Sequence, residues 1–396
     1  MECREFEEEV INLCKRLVSK QSYSGNEAGV VSVLSEYMNR NGFDEVSVDK
    51  YGNIIGKLIG KRPGKTLLFD GHIDTVPVGS EDDWIHKPFE PEICGGKLFG
   101  RGTSDMKGAV AAYTVAAANF AKACNKDFSG EIVCDGVVHE ECFEGVAARN
   151  ITELVNPDVV IIGEASDCNI KIGQRGRAEI VLETFGKPAH SANPEKGINA
   201  VYKMCNVIEK IRELEPTEHP VLGKGILELT DIKSAPYPGA SVVPEYCRAT
   251  YDRRLLVGET KESVLKPLQM LLEQMMIEDS ELEAKVSFAY GREKCHTGEV
   301  IEGERFFPGW LFDENNETVS RVIEGLKRDG YCPEITKYNF CTNGSHYAGE
   351  KGILTFGMGP SNESLAHIVD EYCEIAELKK VSGCYYSILK SLMDAN

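Results

Sequence analysis

Basic residues are in short supply along these 396 positions: 44 Lys and Arg stand against 63 Asp and Glu, a formal net charge of −19. Such a chain is repelled by phosphate backbones and by anionic bilayers, so no nucleic-acid partner and no membrane partner is expected. Long apolar runs are missing too. The longest, "GAVAAYTVAAANFA" (108–121), is alanine-rich, too short to span a bilayer and ends at Lys122, which predicts a buried helix. No internal repeat, low-complexity tract or glycine-rich phosphate cradle is present, which disfavours a phosphatase. No two of the 14 cysteines are spaced C-x-x-C, and the opening "MECREFEEEVINLCKRL" is acidic and amphipathic, unlike a signal peptide. The expectation is a cytoplasmic protein with reduced thiols, many of them buried as small hydrophobes.

What is present reads as two domains, since the length exceeds what one core usually serves. Helical spacing covers 5–20 and 27–41, the second run ended by Gly42, and "EVSVDKYGNIIGKLIG" (45–60) predicts a hairpin turning at "YGN". "KTLLFDGHID", "SGEIVCDGVVHEE" (129–141) and "PDVVIIGEA" (157–165) are apolar on both faces, with helical stretches at 107–122 and 144–155 between them. That predicts an α/β fold with a mostly parallel central sheet flanked by helices. From about Gly173 the texture changes to strand–helix–strand–strand–helix–strand, with helices at 197–214 and 261–276. This predicts an inserted α+β, ferredoxin-like domain over 174–292, leaving 1–173 and 293–396 as the α/β domain. Residues 296–317 read as a long irregular connection, functional or mobile.

Acids and histidines recur where apolar strands end: His72 and Asp74, then Asp105 in "GRGTSDMKG", Glu140 and Glu141 in "VVHEE", and Glu164 in "VVIIGEA". Strand C-termini of a parallel sheet open on one edge, and carboxylates gathered there repel unless a cation neutralises them. Imidazole and carboxylate form a normal ligand set for zinc and its neighbours. His72 and Asp74, two apart, share one side of a strand, so Asp74 can hold the His72 ring as a supporting carboxylate. Of the adjacent pair Glu140 and Glu141, one can bind metal while the other handles the proton of the attacking water. Each feature alone has a bland explanation: a hydrogen-bonded histidine, a solvated acidic pair, a helix cap at Asp105, ordinary turn glycines. Their recurrence in order at strand ends favours the metal site.

The motifs "GHIDTVP", "GRGTSDMKG", "HEE", "IIGEA", "GQRGRAEI", "GKPAHSANPEKGINA" and "AHIVDE" resemble those of the M20 metallopeptidases, the group of acetylornithine deacetylase, succinyl-diaminopimelate desuccinylase and glutamate carboxypeptidase. The likeness covers nearly the whole chain and leans toward a deacetylase/desuccinylase-like branch linked to selenium metabolism. It implies a two-metal hydrolase, usually with zinc, cobalt and manganese being alternatives. Asp105 would bridge the metals through a peptide to Met106 in the cis form. His72 and Glu164 would complete one metal, Glu141 and His367 the other. Glu140 would activate a bridging water and Asp74 would support His72. The inserted domain would be a lid and dimerisation domain, making a homodimer; His190 would stabilise the oxyanion from the partner subunit, and Arg254 would grip a substrate carboxylate. Arg253 would be a surface charge, and Arg175 and Arg177 would serve the hinge and lid. Ser241 replaces a common Asn. "CTNGSHY" (341–347) replaces a "GGTD"-like run, with Thr342, Asn343 and Gly344 lining the substrate pocket and His346 either an extra candidate there or a structural residue. The implied reaction is hydrolysis of an amide in a small N-acyl amino acid or short peptide bearing a free carboxylate. A dipeptidase or aminopeptidase on the same centre is the alternative, and a non-catalytic metal-binding protein a third reading.

Overall fold

The computed structural model describes residues 3–394, with side chains from Phe6 onward. The chain divides into two compact units: the first comprises residues 1–174, 292–302 and 311–396, and the second 175–291 and 303–310.

The first unit is built on a mixed sheet whose central strands are parallel. Arg62–Asp70 lies between Ser129–Gly136 and Val159–Ile162, parallel to both, and Leu354–Gly357 continues the parallel set beyond Val159–Ile162. On the other side the hairpin Glu45–Val48/Ile54–Ile59 adds antiparallel strands. Leu67, Leu68 and Phe69 are buried, as are all four residues of Val159–Ile162, which is what strands covered on both faces require. The predicted alanine-rich helix is observed at Lys107–Ala123 and is buried for nearly its whole length. Small side chains let it lie close against the sheet and against the C-terminal helix Ile375–Leu392. Phe69 stacks on Tyr113 of the alanine-rich helix and meets Tyr385 of the C-terminal one edge-on.

The second unit is an antiparallel sheet in the order Ile226–Ala235, Tyr246–Leu255, Gly176–Phe185, Glu283–Phe288. With helices Ala200–Ile211 and Lys261–Glu278 it has ferredoxin-like βαββαβ order. Its core joins Ile180 and Leu182 of the sheet to Met204, Val207, Leu268 and Leu272 of the helices.

The segment 296–317 is not the irregular connection its composition suggests. It contains the strands Val300–Glu304 and Phe306–Phe307, the latter pairing with Gly176–Phe185. Short strands bounded by glycine and proline carry too little periodicity to be read from sequence. Thirteen cysteines are free, eight of them buried, while Cys94, Cys205 and Cys332 are exposed; the side chain of Cys3 lies outside the described residues. Among the described residues, no helix is long and apolar enough to cross a membrane.

Candidate metal centre

Because Arg62–Asp70, Ser129–Gly136 and Val159–Ile162 run parallel, their C-terminal ends release the chain at one edge of the sheet. His72 follows the first strand by two residues and still bridges to Val137. Glu164 follows the third strand by two. Glu140 and Glu141 come four and five residues after the second, past His139, whose φ is +56°. That left-handed backbone turns both glutamates out of the strand direction and is uncommon for a residue with a side chain. His367 also has positive φ, +64°. Asp105 sits at the start of the alanine-rich helix, joined to Met106 by a cis peptide.

These elements bring the donors within contact distance. The His72 Nε2 lies 2.9 Å from the Asp105 Oδ1 and 3.5 Å from the Glu164 Oε1. His367 Nε2 lies 3.0 Å from both Asp105 Oδ2 and Glu141 Oε2. Asp105 therefore faces one imidazole with each oxygen. Donor atoms of His72, Glu140 and Glu164, and of His72, Asp105 and Glu141, fall within 4.8 Å of one another.

The electrostatics of the group are strained. Burial alone would depress the His72 ring, but Glu164, Asp105 and Glu140 outweigh it and hold the ring well above its usual value. Burial pushes Glu141 up to about 7, aided by the charge of Asp105, and Glu164 up to about 8 against the pull of His72. Glu140 is raised well above the carboxylate range by burial and by Glu164, Glu144 and Glu141, with His72 opposing. Asp105 alone is lowered, its burial overcome by hydrogen bonds to His367 and His72. The bond His367 makes to Asp105, with one to Glu141, lifts its ring to about 10. Four carboxylates thus face two imidazoles, and Glu140 Oε1 and Glu141 Oε1 are buried without a hydrogen-bond partner among the described residues. Orphaned buried oxygens and surplus negative charge, with imidazole nitrogens beside them, fit divalent cations of the zinc type.

The support given by Asp74 differs from the expected one. The His72 Nδ1 is 2.9 Å from the main-chain oxygen of Asp74, while the carboxylate is 3.7 Å away. The carboxylate instead accepts from the Ser24 hydroxyl at 2.6 Å and from the Glu140 and Glu141 N–H groups. It is committed to orienting the two glutamates, so the ring is held by backbone.

Asp70 is buried at the end of its strand and accepts from Asn343 Nδ2 at 3.1 Å and the Tyr347 hydroxyl at 2.9 Å. The signal for it in the sequence was an acid inside an apolar run. Thr342 and Asn343 are themselves buried: the Thr342 hydroxyl donates to Gln174, and the Asn343 side-chain oxygen accepts from Gly145 N–H. Gly344 begins the turn that follows, its N–H donating to the Thr342 hydroxyl. His346 is buried, with its two ring nitrogens engaged by Glu350 (2.7 Å) and Thr152 (2.9 Å).

In the second unit, His190 is exposed and its Nδ1 accepts from Ala192 N–H. Arg254 pairs with Asp252 at 2.8 Å, and Arg177 binds the other oxygen of the same carboxylate. Arg175 donates to the Lys224 carbonyl. Ser241 has φ +56°. Arg253 is not the surface charge its neighbourhood suggested: it is buried, bonded to Glu259 at 2.5 Å and to two carbonyls. Alternation along the strand Tyr246–Leu255 turns it to the side opposite Arg254.

A parallel sheet with this edge of acids and imidazoles defines a metallohydrolase-type architecture. Residues 68–391 match Peptidase family M20/M25/M40, and the chain belongs to that family. It is 32% identical over 392 residues to the uncharacterized protein YgeY of Escherichia coli K12, covering 97% of this chain and 94% of that one. It is 29% identical over 395 residues to a succinyl-diaminopimelate desuccinylase of Cereibacter sphaeroides, covering 96% and 98%. Among solved structures, aminopeptidase PepT of Bacillus cereus superposes with a TM-score of 0.74 at 20% identity, covering 98% of both chains. The protein is a hydrolase of the M20 class, acting on amide or peptide bonds.

Proposed function

We propose that this protein hydrolyses the amide bond of a small N-acyl amino acid or short peptide carrying a free carboxylate. Support comes from the unpartnered Glu140 oxygen buried beside a cluster of metal-type donors. In this reading His72, Asp105 and Glu164 hold one divalent ion, and Asp105, Glu141 and His367 a second. Ions bound there supply a polarised scissile carbonyl and an acidified attacking water. Glu140 accepts the proton of that water at its free Oε1 and returns it to the leaving amine. Asp74 fixes the direction of Glu140 through its backbone N–H. The exposed His190 serves the developing oxyanion and Arg254 the substrate carboxylate, in a homodimer formed through the second unit. The acyl preference follows the desuccinylase relatives, which share nearly the full length of the chain.

The test is a panel of N-acetyl and N-succinyl amino acids and dipeptides, offered to protein loaded with zinc, cobalt or manganese. Turnover of acylated substrates above dipeptides with a free amine supports the proposal, and the reverse order favours the dipeptidase alternative, which recognises that amine. Glu140→Gln should retain its metal and lose roughly 10²- to 10⁴-fold in kcat; wild-type turnover in that variant would remove Glu140 from the mechanism.

A further inference from the structure

The segment 367–371, "HIVDE", ends in a carboxylate that nothing above uses. Glu371 is fully buried and lies outside the donor clusters, and its oxygens have other partners. Its Oε1 accepts three backbone N–H groups: Gly102 at 3.0 Å, Ser104 at 2.9 Å and Asp105 at 3.1 Å. Its Oε2 accepts from Arg101 Nη1 at 2.6 Å. The main-chain oxygen of the same residue accepts from Gly100 N–H at 2.9 Å. One residue thus grips the loop 100–105 at both ends and through its middle, and the last N–H it holds belongs to Asp105 itself. The segment that provides this grip also provides His367, whose Nε2 lies 3.0 Å from Asp105 Oδ2.

We propose that Glu371 is a positioning residue for metal binding: it fixes the backbone of Asp105, so that its carboxylate presents one oxygen to each half of the centre. The proposal rests on the ligand set assigned above. A hydrogen bond accepted by an ionised carboxylate is short and directional, and three converging on one oxygen define the path of the loop. A ligand whose support is removed must be ordered at the moment the ion binds, which weakens binding typically 10- to 100-fold. Asp370 is the built-in comparison. It sits on the same segment, but its Oδ1 accepts from Ile85 and His86 N–H and from no N–H of the loop 100–105.

The experiment is zinc titration of chelator-stripped protein against a competing chromophoric chelator, with the visible spectrum of the cobalt form as a second readout. Glu371→Gln should bind zinc 10- to 100-fold more weakly than wild type and show an altered cobalt spectrum, while Asp370→Asn stays within about twofold. A purely structural role would lower the melting temperature of the stripped protein and leave affinity and spectrum unchanged; that result overturns the proposal. Should the glutamine variant not fold, Glu371→Asp keeps the charge beside Arg101 and withdraws the acceptor by one methylene. It should weaken zinc binding in the same direction, and wild-type affinity in it is equally fatal. Failure of the wild type to bind zinc overturns the ligand assignment, and this proposal with it. Equal binding by wild type and variant overturns the proposal alone.

Discussion

The acids around His72 and His367 favour the protonated form of both rings: Glu164, Asp105 and Glu140 act on His72, and Asp105 and Glu141 on His367. A divalent ion takes the imidazole nitrogens in their neutral form and the carboxylates ionised. Loading the stripped protein at pH 7 should therefore release protons, and affinity should strengthen as pH rises and weaken as it falls. Calorimetric titration in buffers of different ionisation enthalpy reads this directly; buffer-independent heats would contradict it. At this scale the gathering of His72, Glu140, Glu141 and Glu164 was legible from strand ends, whereas Asp105 precedes a helix and was marked by its motif. The route by which Asp74 acts was not. Two-residue spacing places it beside His72, but the chain turns after Asp70, and the carboxylate swings to Ser24 and to two N–H groups whose positions only the fold decides. Glu371 was hidden for a similar reason: its partners lie some 270 residues away.

Elements were more readable than contacts. The alanine-rich helix, the hairpin at 45–60 and the parallel strands follow from apolar periodicity, which depends only on near neighbours. The π-type turn Ser345–Glu350 does not, since it is fixed by tertiary partners. There Glu350 takes two bonds from Arg149 and one from His346. Burial would raise its carboxyl, but His346 and Arg149 bring it down to about 2. A folded-state value below the unfolded one means stability present above about pH 4.5 and lost as pH falls toward 2. Glu350→Gln should cost about 1–3 kcal/mol at pH 7 and flatten the stability profile between pH 4.5 and 2. Urea unfolding of metal-free protein at several pH values checks this, and an unchanged acid limb would refute it.

The molecule as a whole places every proposed ligand in the first unit and keeps the second free of them. Ligands stabilise what they bind in the native state. Thermal unfolding should accordingly show two transitions, of which added zinc raises only the one belonging to the metal-binding unit. A common shift of a single transition would mean that the two units unfold as one.

Metal content of chains lacking Asp105 bears most directly on the idea that these acids are gathered to hold a pair of ions. Equilibrium dialysis against buffered zinc, followed by elemental analysis, should give two ions per wild-type chain and at most one in Asp105→Ala at the same free zinc. A wild type that binds none, or a variant that still binds two, would contradict it.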